Sequence, residues 1–134
     1  MDIKKITIAV DLLKTIYSAE INKKRESLKI ILTRELYENE LKTFKFLEDG
    51  LNGLCDKFLK IANGENISLS IKEEHVFKKA YPYCEYYLNT LVRSVIDDKG
   101  NEKKEAKLFN RQLKNNQENL KLIMEIFKSQ KIKC

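Results

Sequence analysis

Apolar residues recur along most of the chain at spacings of three and four, the repeat of a helix with one buried face. The clearest case runs from Asn101 to Lys133, a stretch without Gly or Pro in which Phe109, Leu113, Leu120, Ile123 and Phe127 share one narrow sector with Asn116. Lys107, Lys114, Lys121 and Lys128 recur every seven residues on the far side, with Lys103 and Arg111 on or near it. The spacing predicts one long helix with a core seam inside and a basic face outside.

The same phase is kept from Ile3 through Ile6, Val10, Leu13, Tyr17, Ile21, Leu28, Ile31 and Leu32, interrupted by the polar cluster Asn22 to Glu26. A break or kink is expected at that cluster, because an unbroken helix of such length would outrun a bundle of this size. A second stripe, Leu41, Phe44, Leu47, Leu51, Leu54, Cys55, Phe58 and Ala62, crosses Gly50 and Gly53 without losing step. Two glycines three apart mark either a kink or a place where another helix packs very close; a kinked helix is the expectation. Asn63-Gly64 stops it.

Ile67, Leu69 and Ile71 alternate with polar residues and read as a loop with anchored apolar side chains. Ser70 and Glu73 have the spacing of a capping box, predicting a short helix to about Ala80. Pro82 ends that helix or opens the next, which is expected to run from about Tyr83 to Asp98 with Cys84, Tyr87, Leu88, Leu91 and Val95 inward and Tyr83, Tyr86, Thr90 and Arg93 away from them. Gly100 closes it and Asn101 caps the last helix. The fold class is therefore all-α: a single domain over residues 1–134, a bundle of about five helices of which the C-terminal one is longest.

Composition supports this. Four Gly and one Pro in 134 residues supply too few turns for an all-β design, and a chain of this length buries roughly two-thirds of its unfolded surface without staples. Three widely spaced Cys (55, 84 and 134) and no window resembling a leader or a membrane span lead to the expectation of a cytoplasmic protein.

Charge adds a direction. Residues 1–60 carry 12 basic and 10 acidic side chains, 61–100 carry 5 and 6, and 101–134 carry 9 and 4, so the excess of +6 divides as plus two, minus one and plus five. A basic final helix suits nucleic acid or an acidic protein, and a solvated helix face is the plain alternative. The stronger field is expected near Lys103, Lys104, Lys107, Arg111 and Lys114, because Glu118 and Glu125 interleave with Lys114, Lys121 and Lys128. Only four of the 26 basic residues are Arg, and Lys suits diffuse phosphate attraction better than bidentate base reading.

No catalytic signature emerges. The single His75 and Cys84 are nine residues apart across a proline, so contact between them does not follow from spacing. One His and no Cys pair at ligand spacing give no zinc motif, the acidic turn from Asp97 to Glu102 lacks calcium-loop alternation, and the glycines never cluster into a phosphate cradle. No cofactor, metal or catalytic residue is therefore expected. The tyrosine cluster Tyr81 to Tyr87 is a candidate contact surface, with Tyr83, Tyr86 and Arg93 as an exposed patch, or else a plug at the bundle end. Asn116 in the seam either sets register in a homodimer or bonds locally within the bundle.

These readings converge on a non-enzymatic binding module that docks on nucleic acid or a nucleoprotein complex through Lys103, Lys104, Lys107, Arg111, Lys114 and Lys121, assisted by Tyr83, Tyr86 and Arg93. The alternatives are a protein-protein regulator covering an acidic enzyme surface, and a structural homo-oligomer.

Overall fold

Every helix whose start can be followed begins where a short polar side chain takes up a backbone N–H that has no partner within the helix. In the computed structural model, which describes residues 2–94 and 107–132, Asp2 accepts from the Lys5 amide at 3.2 Å and opens α1, Ile3–Ile31. Thr33 accepts from the Leu36 amide at 3.4 Å and opens α2, Arg34–Ala62. The predicted capping box is present at α3, Ile71–Ser94: Ser70 Oγ accepts from the Glu73 amide at 3.2 Å, and Glu73 Oε1 accepts from the Ser70 amide at 2.7 Å. The last helix, α4, is Lys107–Ile132. Gly64, at φ 94°, ends α2 in the left-handed region, and the Glu65 amide donates back to the Lys60 carbonyl at 3.0 Å.

Four helices rather than about five make up the described residues. The expected break at Asn22 to Glu26 is absent. The cluster is an outward face of one continuous helix: Arg25 reaches Glu48 on α2, lies 5.6 Å from the centre of the Phe44 ring, and holds Asn22 Oδ1 at 2.9 Å. The turn falls instead at Leu32-Thr33, where Thr33 is the cap. The expected division at Pro82 is also absent. Val76, Phe77, Ala80, Tyr81, Cys84 and Leu88 keep one buried phase across it, and Pro82 and Lys78 are both exposed. The Lys78 carbonyl that loses its helical donor is thus open to water, which lowers the cost of an interior proline. Within the described residues α4 has 26 residues against 29 each for α1 and α2, and its expected start at Asn101 lies outside them. Val95, the stop at Gly100, the cap at Asn101 and the acidic turn from Asp97 lie outside the described residues.

The helices alternate in direction, and α1 touches all three others while α2 and α4 sit on the diagonal. Phe77 is the hub of the core. Its ring stacks on Phe127 of α4 at 4.1 Å between centroids and meets Phe58 of α2 edge-on at 5.6 Å. Packing departs from the predicted stripes mainly at the helix ends. Ile3, Ile31 and Phe109 are exposed, whereas Asn110 and Ile126 are buried in α4. No residue from 22 to 43 is buried, so the outer turns of the α1–α2 hairpin, with Ile30, Ile31 and Leu36 exposed, lie beyond the core. No helix among the described residues is long and apolar enough to cross a membrane.

Helix α2 runs unbroken through Gly50 and Gly53, and both glycines face α3 closely. A Cβ on Gly50 would lie 2.5 Å from Val76 Cγ2, and one on Gly53 would overlap the Glu73 carboxylate. Glu73 is itself buried and receives Lys57 Nζ at 2.6 Å. Alanine in a helix interior is worth about 1 kcal/mol over glycine, but overpacking against a stiff buried valine costs about 1–3 kcal/mol. Gly50→Ala is therefore expected to lower the melting temperature by a few degrees, and a rise on thermal denaturation would mean that the helices are not held this close.

Candidate nucleic-acid interface

The inward face of α4 determines its outward one. Burial of Leu113, Leu120, Ile123, Ile126 and Phe127 turns Arg111, Lys114, Lys121 and Lys128 to solvent. The ion pairs among the described residues are Lys24–Glu20, Arg25–Glu48, Arg34–Glu38 and Lys57–Glu73, so none of these four cations is taken up by one. Glu118 and Glu125 interleave with the lysines in sequence without closing an ion pair on them. Lys103 and Lys104 lie outside the described residues; Lys107 is the first residue of α4, and Arg93 lies in the last turn of α3.

Lys121 also lines a groove between α3 and α4, together with Glu85, Leu88, Asn89, Gln117 and Leu120, enclosing about 280 Å³. Leu88 and Leu120 close its floor but are 2% and 1% exposed, so its open lining is mainly polar. Its rim is polar, and Gln117 Nε2 donates to Asn89 Oδ1 across it at 2.6 Å. Asn89 and Gln117 escaped the reading of the sequence because their pairing spans 28 residues and each alone is an ordinary polar position.

The tyrosines separate. Tyr81 is buried, while Tyr83 is half-buried, donates to Glu20 Oε2 at 2.7 Å and meets the edge of Tyr17 at 6.2 Å between centroids. That hydrogen bond and the neighbouring carboxylate, with burial, push the Tyr83 hydroxyl up to about 12. Tyr86 stands 68% exposed. Tyr83 and Tyr86 therefore do not form one patch, for the first is turned to α1 and the second to solvent. Tyr87, expected inward, is 42% exposed and lines a separate α1–α3 groove with Thr15, Ile16, Ala19, Glu20, Lys23 and Tyr83. Asn116, half-buried, borders a further groove with Ile8, Asp11, Leu12, Thr15 and Ile16 of α1.

Among the described residues the two thiols and the imidazole stand in different surroundings. Cys55 and Cys84 are buried, with their sulfurs 4.0 Å and 3.9 Å from the Val10 and Leu13 carbonyls of α1. Burial pushes both thiols up to about 12. His75 is exposed, edge-on to Phe46 at 6.0 Å between centroids. It shares α3 with Cys84, and nine residues of helix separate them by about 13 Å. The Glu73 carboxyl is shifted. Burial alone would raise it, but the hydrogen bonds from Lys57 and Ser70 outweigh that and hold it below the usual carboxylate range. Among the described residues no group of three or more His, Cys, Asp or Glu is placed to hold a metal ion. No protein-family model, curated protein or solved structure matches the chain.

The raised acids make stability depend on alkaline pH. A folded state that binds these protons more tightly than the unfolded chain is fully favoured below the ordinary thiol value of 9.0 and loses that advantage as pH climbs toward about 12. Tyr81 and Tyr83 add to the loss from 10.0 upward. Urea midpoints measured at intervals from neutral pH into this range are expected to hold steady and then fall. A midpoint unchanged throughout would show that the thiols and phenols are not buried as described.

Proposed function

We propose that this chain is a non-enzymatic binding module that docks on nucleic acid, alone or within a nucleoprotein complex, through the exposed basic face of α4. The carrying observation is that Arg111, Lys114, Lys121 and Lys128 all point outward with no acidic side chain closed on them. Other cations of the described chain, Lys24, Arg25, Arg34 and Lys57, are met by an acid, Arg25 by Glu48 and Lys57 by Glu73 across helices. Lysines held this way act as point charges toward phosphate, attracting the backbone of a strand without selecting its sequence. With two thiols buried in neutral form and the only His apart from both, the site is read as one for binding rather than for bond making.

A second reading, a protein-protein regulator, draws support from another place: the solvent-facing Ile30, Ile31 and Leu36 at the tip of the α1–α2 hairpin. Apolar residues grouped beyond a core are a common mark of a protein contact.

The two readings part in a salt series. Duplex or single-stranded oligonucleotide binding is expected to weaken steeply as salt rises, with a slope of about −0.9 per duplex phosphate neutralised. A variant with Arg111, Lys114, Lys121 and Lys128 all changed to Ala is expected to lose both affinity and about three to four units of that slope. If the unaltered protein binds neither form even at about 50 mM salt, the nucleic-acid reading falls and the hairpin tip becomes the surface to pursue.

A further inference from the structure

We infer that the tip of the α1–α2 hairpin is a contact surface for a second copy of this chain, seated on it about a twofold axis. The inference does not rest on the nucleic-acid reading, and it gives the tip to the chain itself rather than to a foreign protein. Eighteen residues of helix make five full turns, so positions 18 apart share one azimuth. Ile31 stands 18 residues after Leu13 in α1, and Leu36 stands 18 before Leu54 in α2. Leu13 and Leu54 are wholly buried, whereas Ile31 and Leu36 are 74% and 52% exposed. The side of each helix that is buried in the body of the bundle therefore continues bare into the tip. Leu28 and Leu41 still pack against the edge of the core. Ile31 and Leu36, nearer the turn, are left to solvent.

Charge says what covers them. The same spacing places Lys24 in line with Ile6 on the buried side of α1, and Glu40 in line with Phe58 on that of α2. The bare side thus carries a cation on one limb, an acid on the other, and an apolar residue from each nearer the turn. The limbs divide in the same sense as a whole: residues 22–31 hold four basic side chains and one acidic, residues 34–43 two and three. Neither charge is spent within the chain. Glu40 closes no ion pair among the described residues, and the Lys24 side chain, 64% exposed, stands 3.8 Å from Glu20. In a twofold contact every pairing occurs twice, residue i of one copy meeting j of the other and j meeting i. A copy turned about such an axis lays its acidic limb on the basic one and its basic limb on the acidic one. Lys24 then faces Glu40 of the other copy, with Ile31 and Leu36 between. A foreign surface of one sign would satisfy one limb and repel the other.

The test is sedimentation equilibrium of the full chain at low salt, from about 10 μM to about 1 mM, the range in which a contact of a few side chains associates. The average mass is expected to climb from 15.8 kDa toward twice that value. Changing Ile31 and Leu36 together to Lys is expected to weaken association by about tenfold or more. Lys24→Glu and Glu40→Lys, each alone, set like charges face to face and are expected to weaken it comparably. An equimolar mixture of these two single variants is expected to regain the association of the unaltered chain, because each copy then meets an opposite charge at both positions. No contact within one chain produces that recovery. All four side chains are exposed, and circular dichroism checks that each variant keeps its helices. A mass of 15.8 kDa at every concentration overturns the inference, as does a dimer that the Ile31 and Leu36 variant leaves intact or a mixture no more associated than its components. No oligonucleotide enters these measurements, so the basic face of α4 stands or falls separately.

Discussion

The close meeting of α2 and α3 is the constraint on which the rest of this bundle depends. Gly50 and Gly53 remove the side chains that would hold the helices apart, and Val76 and Glu73 of α3 occupy the space. Glu73 is then committed three ways: it caps its own helix through the Ser70 amide, accepts Lys57 across the interface, and fills the hollow left by Gly53. Burying a carboxylate is costly unless its oxygens are met. Here the charge is balanced by Lys57 and one oxygen is doubly served, so the same residue that starts α3 also fixes its distance from α2. One turn further along α3, Phe77 reaches Phe58 on one side and Phe127 on the other. The position of α4 follows from that aromatic contact, and with it the groove that α3 and α4 form.

Much of this was legible in the sequence because helical phase survives in side-chain order. The buried faces of α1 and α2, the Ser70–Glu73 capping box and the stop at Gly64 follow from period and cap chemistry alone. What misled was punctuation. A break or kink was expected at Asn22 to Glu26 because an unbroken helix of that length outruns a small bundle, yet the retained phase was the better guide, and the true turn sits at Leu32-Thr33 with a modest threonine cap. Pro82 looked like a boundary because of its missing N–H, yet the apolar stripe continues through it. At Gly50 and Gly53 the sequence allowed a kink or a close approach, and only the neighbour, Val76, distinguishes them. The seam of α4 is displaced at its start, where Asn110 is buried and Phe109 is not, because burial there depends on what surrounds the end of the bundle rather than on hydropathy.

The candidate site divides in the same way. An outward lysine row is implied by any helix with a seven-residue lysine repeat opposite a core seam, so the basic face could be read from spacing. The groove could not, since Asn89 and Gln117 come together only through the packing of two helices, and their chemistry appears only as a pair. The tyrosine cluster shows the limit from the other side. Four tyrosines in seven residues promise one surface, but a helix distributes them around its circumference: Tyr81 into the core, Tyr83 to Glu20, Tyr86 to solvent and Tyr87 toward α1.

The placement of charge carries the functional argument further than its total. A net excess of six could be spread evenly and mean nothing beyond solubility. Near the core the fold places an acid against a cation: Glu73 takes Lys57, and Glu48 takes Arg25 where it overlies Phe44. On α4 the acids are present, as Glu118 and Glu125, but do not close on the lysines beside them. Exposed ion pairs are worth little to a fold, typically under about 1 kcal/mol, so leaving them unmade costs this protein almost nothing. It leaves a row of cations available to an anion from outside.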